Sequence, residues 1–201
     1  MGTIKKIEHS CQNPYINLYT LFVENKVGRP GTYYVASRAK SVAEMKLKTR
    51  KVNADGVIIY SLYGEKRDKV VLIRQYRYSI DDYIYEFPAG LVEPGEDFHE
   101  AAVREMKEET GLDFTPRQAG NMYEKPYFTT IGLTDEACAT VYGYADGTVS
   151  ADGQEESEEI EVVLADRAQV RQILKEGKVA IMCAYMLMHF LHEEKPFGFL
   201  E

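Results

Sequence analysis

The chain has 201 residues, 45% of them hydrophobic and 28% charged, with 24 Lys and Arg against 32 Asp and Glu for a formal net charge of −8. A chain of this size buries a full core without staples. The acidic balance excludes non-specific nucleic-acid binding, which needs clustered cations to displace counterions, and an anionic substrate would need a cation to screen it. Cys11, Cys138 and Cys183 lie far apart, with no CxxC or Cys/His spacing, so neither a zinc site nor a disulfide framework is expected. MGTIKKIEHS has no apolar core of a signal peptide, and Lys6 stands where a myristoylation motif wants Ser or Thr. The longest apolar stretch, Val179–Leu191, is too short to span a bilayer. The expectation is a reduced, cytoplasmic, soluble protein with neither a membrane nor a nucleic-acid partner.

In chain order, Tyr15–Glu24 is aromatic and β-branched, Asn25–Gly31 reads as a turn, and Thr32–Ala36 as a second short strand. Residues 37–52 carry Arg38, Lys40, Lys46, Lys48, Arg50 and Lys51, the pattern of a solvated, partly extended connection. The apolar runs Gly56–Tyr63 and Lys69–Tyr76 flank a turn and predict a hairpin of buried strands. Asp82–Phe87 predicts a further strand, stopped by Pro88. Asp97–Thr110 then reads as a helix, with Asp97 and Glu100 at capping-box spacing and Gly111 as its stop. Two β-like stretches, Gln118–Tyr127 and Ala137–Ala145, precede an acidic segment, Asp146–Glu161, read as a mobile surface loop. A strand over Glu161–Ala165 and two helices, Ala168–Glu176 and Val179–Glu193, close the chain. The order predicts an α/β (α+β) fold, a layered sheet with helices on its faces.

The chemistry concentrates in Gly90–Leu112, GLVEPGEDFHEAAVREMKEETGL. Glu105, Glu108 and Glu109 stand at i, i+3 and i+4 and share one helix face. At about 100° per residue, Phe98, Ala101 and Ala102 fall beside them, while Glu100, Arg104 and Lys107 point elsewhere. A triad bordering the apolar side of its helix, at the cost of like-charge crowding, suits a hard cation such as Mg²⁺ or Mn²⁺. The three glutamates alone are equally compatible with an acidic surface helix.

Nine constrained positions settle the choice: Gly90, Glu96, Arg104, Glu105, Met106, Glu108, Glu109, Gly111 and Leu112. The segment resembles the box of the Nudix hydrolase family. The resemblance implies a loop–helix–loop within a Nudix-type α/β/α sandwich with a mixed sheet, hydrolysing a nucleoside diphosphate linked to another moiety. It implies that Glu105 and Glu109 ligate a divalent metal, that Glu108 shares that role or acts through water, and that the Ala89 carbonyl joins them. It implies that Glu96 is structural and that Arg104 braces the acidic helix by ion pairs.

The flanks are similar to the ADP-ribose pyrophosphatase branch of that family. Val70–Arg77 resembles its central strand, Glu86-Phe87-Pro88-Ala89-Gly90 its lead into the box, and Pro126, fifteen residues past Gly111, its proline. The C-terminal helix pair around Glu176-Gly177-Lys178 is similar too. By this likeness Arg77 and Glu86 become substrate-binding candidates, with a strand-end ion pair as the plainer role for Arg77. The likeness also implies a catalytic base on the acidic loop, at Glu156 or Glu158. It further implies that residues 1–52 form a β-rich N-terminal dimerisation segment before the hydrolase domain of 53–201, making a homodimer. The sequence departs from the branch in having no tryptophan, so adenine would stack on tyrosine or phenylalanine; Tyr15, Tyr19, Phe22, Tyr33 and Tyr34 are available near the N-terminus. Residues 127–136 lack the usual Ser-Pro-Gly pattern. The implied reaction is Mg²⁺-dependent hydrolysis of ADP-ribose to AMP and ribose 5-phosphate. GDP-mannose or another nucleotide sugar is the first alternative, and a non-catalytic nucleotide sensor the second.

Overall fold

The computed structural model describes residues 1–200. Its strands are β1 (Thr3–Cys11), β2 (Asn17–Glu24), β3 (Pro30–Ser37), β4 (Gly56–Tyr63), β5 (Lys69–Arg77), β6 (Asp82–Glu86), β7 (Ala89–Leu91), β8 (Asp113–Pro116), β9 (Tyr127–Phe128), β10 (Ala137–Asp146) and β11 (Ile160–Ala165). Its helices are α1 (Lys46–Thr49), α2 (Phe98–Thr110), α3 (Asn121–Glu124), α4 (Arg167–Glu176) and α5 (Ile181–His192). The chain divides into two units, Met1–Asp55 with Pro126–Cys138, and Gly56–Lys125 with Ala139–Glu201.

In the second unit the sheet runs β11-β5-β4-β10-β8, with β6 paired to β5 and β7 to β4. β5 is apolar at consecutive positions because both of its faces are covered. Val57, Ile59 and Val71 pack with Ala101, Ala102 and Met106 of α2. Tyr60, Leu62, Val70 and Leu72 pack on the other side with Val170 and Ile173 of α4 and Cys183, Leu187 and Phe190 of α5. The result is the expected α/β/α layering. No helix among the described residues is long and apolar enough to cross a membrane.

The first unit is a three-stranded antiparallel sheet, β1-β2-β3. Tyr19, Leu21 and Val35 close a small core with Met45. β1 is missing from the sequence prediction because nearly every residue in it is exposed and no apolar period marks it. Residues 37–52 are not simply a solvated connection: fully buried Met45, with Val42 and Leu47, packs into that core. Two of the cations in this segment are paired, Lys46 with Asp55 and Arg38 with Glu136 at 2.8 Å.

Gln118–Tyr127 is not a strand. Its centre is the helical turn α3, and Ala119 and Tyr123, four apart, pack beside the second unit's core. One turn is too short to display a helical period. At α2, Asp97 accepts from the His99 N–H at 2.9 Å, and no reciprocal Glu100 bond completes a capping box. The complete box forms at α4, between Asp166 and Gln169.

Candidate functional site

β7 and the C-terminal half of α2 frame the site. Gly90 pairs with Val57 of β4, and its bare Cα is what lets Glu105 lie flat against the backbone. A Cβ on Gly90 would fall 1.9–2.3 Å from the Glu105 carboxyl atoms. The three box glutamates are not equivalent, although they share a helix face. Glu109 is 2% exposed, the Glu105 side chain 14%, and the Glu108 side chain 48%. This gradient follows from the helix lying on the sheet through Ala101, Ala102 and Met106.

Arg104 does not point away from the triad. Its long side chain folds back over it, which a reading of Cα directions alone misses. Nε and Nη2 donate to the two Glu96 oxygens at 3.0 Å. Nη1 donates to Glu105 at 2.8 Å and Glu108 at 3.0 Å, and Nη2 also reaches the Leu91 carbonyl at 3.0 Å. One guanidinium therefore ties the loop before α2 to the acidic face. These bonds, Glu96 first, hold the Arg104 pKa above its ordinary value.

Glu109 Oε2 accepts from the Ala89 N–H at 3.0 Å. Burial pushes its carboxyl well above the usual range, and the charges of Glu158 and Glu105 add to this. The Ala89 bond and Arg77 oppose it. Glu105 is raised by burial against the pull of Arg104, with Glu108 and Glu158 adding. Glu158 is raised by burial, then by Glu155 and Glu108, with Arg77 opposing. Burial raises all three carboxyls first, and their mutual charges add to it.

The two candidates on the acidic loop differ in burial. Glu158 is half-buried beside the box, whereas Glu156 is exposed. The segment is irregular, but it is tethered to α2. The Ser150 N–H donates to the Thr110 carbonyl at 3.0 Å, and Gln154 Nε2 donates to the Glu109 carbonyl at 2.8 Å. Gly153 lies against the Glu108 backbone, where a Cβ would fall 2.9 Å from its carbonyl oxygen. Gln154 is a site residue that sequence reasoning missed, and an amide inside an acidic loop carries no signal for it. Arg77 and Glu86 meet each other on the β5–β6 hairpin, Nε to Oε2 at 2.7 Å.

Hard carboxylate oxygens and uncompensated negative charge suit a divalent cation in chemistry and in sign. Among the described residues, no three His, Cys, Asp or Glu side chains converge on a common point. The Arg104 guanidinium draws Glu105 and Glu108 toward itself, while Glu109 turns to Ala89.

Residues 52–184 match the NUDIX domain. The chain belongs to the NUDIX family. Among the similar proteins, the ADP-ribose pyrophosphatase of Saccharomyces cerevisiae is 41% identical over 84 residues, covering 41% of this chain and 36% of the yeast protein. The ADP-ribose pyrophosphatase of Escherichia coli O157:H7 is 31% identical over 136 residues, 62% of each chain. The matches thus span less than two thirds of these NUDIX relatives. A crystal structure of an ADP compounds hydrolase shares the fold at a TM-score of 0.58 and 20% identity, covering 87% of this chain and 83% of its own.

Proposed function

We propose that this NUDIX protein hydrolyses the pyrophosphate bond of a nucleoside diphosphate sugar, with ADP-ribose as the preferred substrate and AMP and ribose 5-phosphate as products. The observation that carries the reading is buried Glu109 beside Glu105 on α2, with Glu158 of the acidic loop in electrostatic reach of both. The likeness to the ADP-ribose pyrophosphatases of yeast and Escherichia coli favours the ADP-ribose substrate.

In this reading Glu105, Glu109, Glu108 and the Ala89 carbonyl hold Mg²⁺, or Mn²⁺ in its place. When bound, the cation supplies Lewis-acid polarisation and neutralises the pyrophosphate charge. Arg104 holds Glu105 and Glu108 through its Nη1. Glu158 takes the proton of the attacking water, a role suited to a carboxyl raised by burial and like charges. Glu86 engages Arg77 through Nε, leaving the terminal nitrogens of the guanidinium fork to orient a phosphate for in-line attack.

The test is hydrolysis of ADP-ribose, GDP-mannose, UDP-glucose, NADH and diadenosine polyphosphates with Mg²⁺, Mn²⁺ or EDTA, read as phosphate released by added phosphatase. Metal-dependent turnover, fastest on ADP-ribose, is expected. Preference for GDP-mannose would keep the chemistry and change the substrate. No turnover of any compound would overturn the reading and leave the sensor alternative standing. Glu109→Gln is expected to lower kcat at least about 10³-fold with the circular dichroism spectrum retained; unchanged turnover would remove Glu109 from the metal site.

We also infer a homodimer formed through the β-rich N-terminal segment. The outer face of the β1-β2-β3 sheet leaves Leu18 and Tyr34 exposed, a surface that a partner would cover. Sedimentation velocity is expected to give twice the 22.9 kDa chain mass, and a monomer would overturn the inference.

A further inference from the structure

The sheet continues one residue beyond β11, because the Tyr76 N–H donates to the Glu159 carbonyl at 3.0 Å. Side chains along a strand alternate between faces. Glu161 is paired with Arg74, and Arg74 with Tyr85. Counting back from Glu161 puts Glu159 on that same face, toward α4, and Glu158 on the opposite face, toward α2. On the α4 face the Tyr83 hydroxyl bonds the Glu159 carboxylate. The Tyr83 ring is itself held: the Arg74 guanidinium sits 4.1 Å from its centroid and pairs with Glu161 at 2.9 Å, while the Tyr76 ring meets it edge-on at 5.6 Å.

Glu158 needs such a hold. Its surroundings include the carboxylates of Glu155, Glu108, Glu105 and Glu109, with Arg77 as the opposing cation. Repulsion among these charges pushes the loop away from α2. The tethers at Ser150 and Gln154 act upstream, and the Glu158 N–H bonds only within the loop, to the Glu155 carbonyl at 3.0 Å. The side-chain anchor next to Glu158 is the one at Glu159.

We propose that Tyr83 is a positioning residue that, by latching Glu159 on the α4 face of the sheet, fixes Glu158 on the α2 face against the repulsion of the box carboxylates. This deepens the reading above and rests on it for the role of Glu158. The latch itself is a matter of structure, independent of any substrate.

Tyr83→Phe keeps the ring and its contacts and removes only the hydroxyl. With Mg²⁺ and ADP-ribose it is expected to lower kcat about tenfold while KM stays within about twofold, as for a displaced catalytic group. Glu159→Ala should reproduce that loss, and Glu159→Gln, which keeps an acceptor oxygen, should restore most of it. In a Glu158→Gln background, Tyr83→Phe should cost nothing more. In the substrate-free protein, Tyr83→Phe should speed hydrogen exchange at the Tyr76 and Glu158 amides. Unchanged exchange, or a Tyr83→Phe loss that multiplies with that of Glu158→Gln, would overturn the latch. If the wild type turns over none of the tested compounds, the functional reading falls and hydrogen exchange alone decides the latch.

Discussion

Gly90 and Glu105 show how a box position acts through the space it leaves empty. The atoms that a Gly90 Cβ would strike belong to the end of the flexible Glu105 side chain, so a methyl group there displaces a carboxylate and spares the backbone. Gly90→Ala is therefore expected to leave the thermal unfolding midpoint within a few degrees of wild type while lowering Mg²⁺-dependent turnover at least about a hundredfold, the scale of a misplaced catalytic group. A collapse in stability with activity per folded molecule intact would contradict this. Glu109 sits at the other extreme, its carboxylate fully enclosed and bonded to the Ala89 N–H. Such a burial is costly for an ion, and it makes sense where a cation shares the charge.

The ends of α2 are set by its neighbours as much as by its own sequence. Gly111 closes the helix at φ 73°, and its N–H reaches the Lys107 carbonyl. Lys107 Nζ covers the Gly111 carbonyl at 2.9 Å and pairs with Asp113 at 2.8 Å. A Cβ on Gly111 would also fall 2.6 Å from the Ser150 backbone nitrogen, so the same glycine admits the acidic loop to the helix end. Gly111→Ala is expected to destabilise by more than about 1 kcal/mol in urea unfolding and to lower kcat as well, since the loop carrying Glu158 must shift. At α4 the capping box is a simpler device, and Asp166→Ala should cost about 1 kcal/mol without affecting turnover. A silent Gly111→Ala would show that the loop is not seated on α2.

Across the whole molecule the charge balance is acidic, and a small part of that acidity sits where burial opposes ionisation. Glu109, Glu105 and Glu158 are raised above the ordinary carboxylate range, so in the window between their unfolded and folded pKa values the folded state binds more protons than the unfolded state. The slope of stability with pH is then negative: these groups stabilise the fold most below the ordinary carboxylate pKa, and that contribution falls as pH rises through the raised values. Asp97, Glu96 and Asp82 act in the opposite sense, because the His99 N–H, Arg104 and Lys178 respectively lower them; their contribution is lost on acidification. The metal-free wild type should therefore lose urea stability relative to Glu109→Gln as pH rises from the ordinary carboxylate range through the raised Glu109 pKa, with the gap levelling off above that raised value. Mg²⁺ should raise the melting temperature of the wild type and leave Glu109→Gln nearly unmoved. Parallel pH profiles with equal responses to Mg²⁺ would remove Glu109 from the charge cluster.

The amino-acid order alone determined the strands β4, β5, β10 and β11, the helices α2, α4 and α5, and the box with its family, because each rests on a local period or a fixed spacing. β1 was illegible because it is stabilised by pairing with β2 and buries no face of its own; α3 was illegible because a single turn has no period. That Glu158 is half-buried while Glu156 is exposed depends on how an irregular loop enters the sheet through Glu159, one step before β11. The fold also decided that Arg77 and Glu86 meet and that Gln154 holds the loop to α2. These are contacts between long side chains or across distant segments. Their partners are selected by where the sheet brings the chain together, which no local pattern of residues encodes.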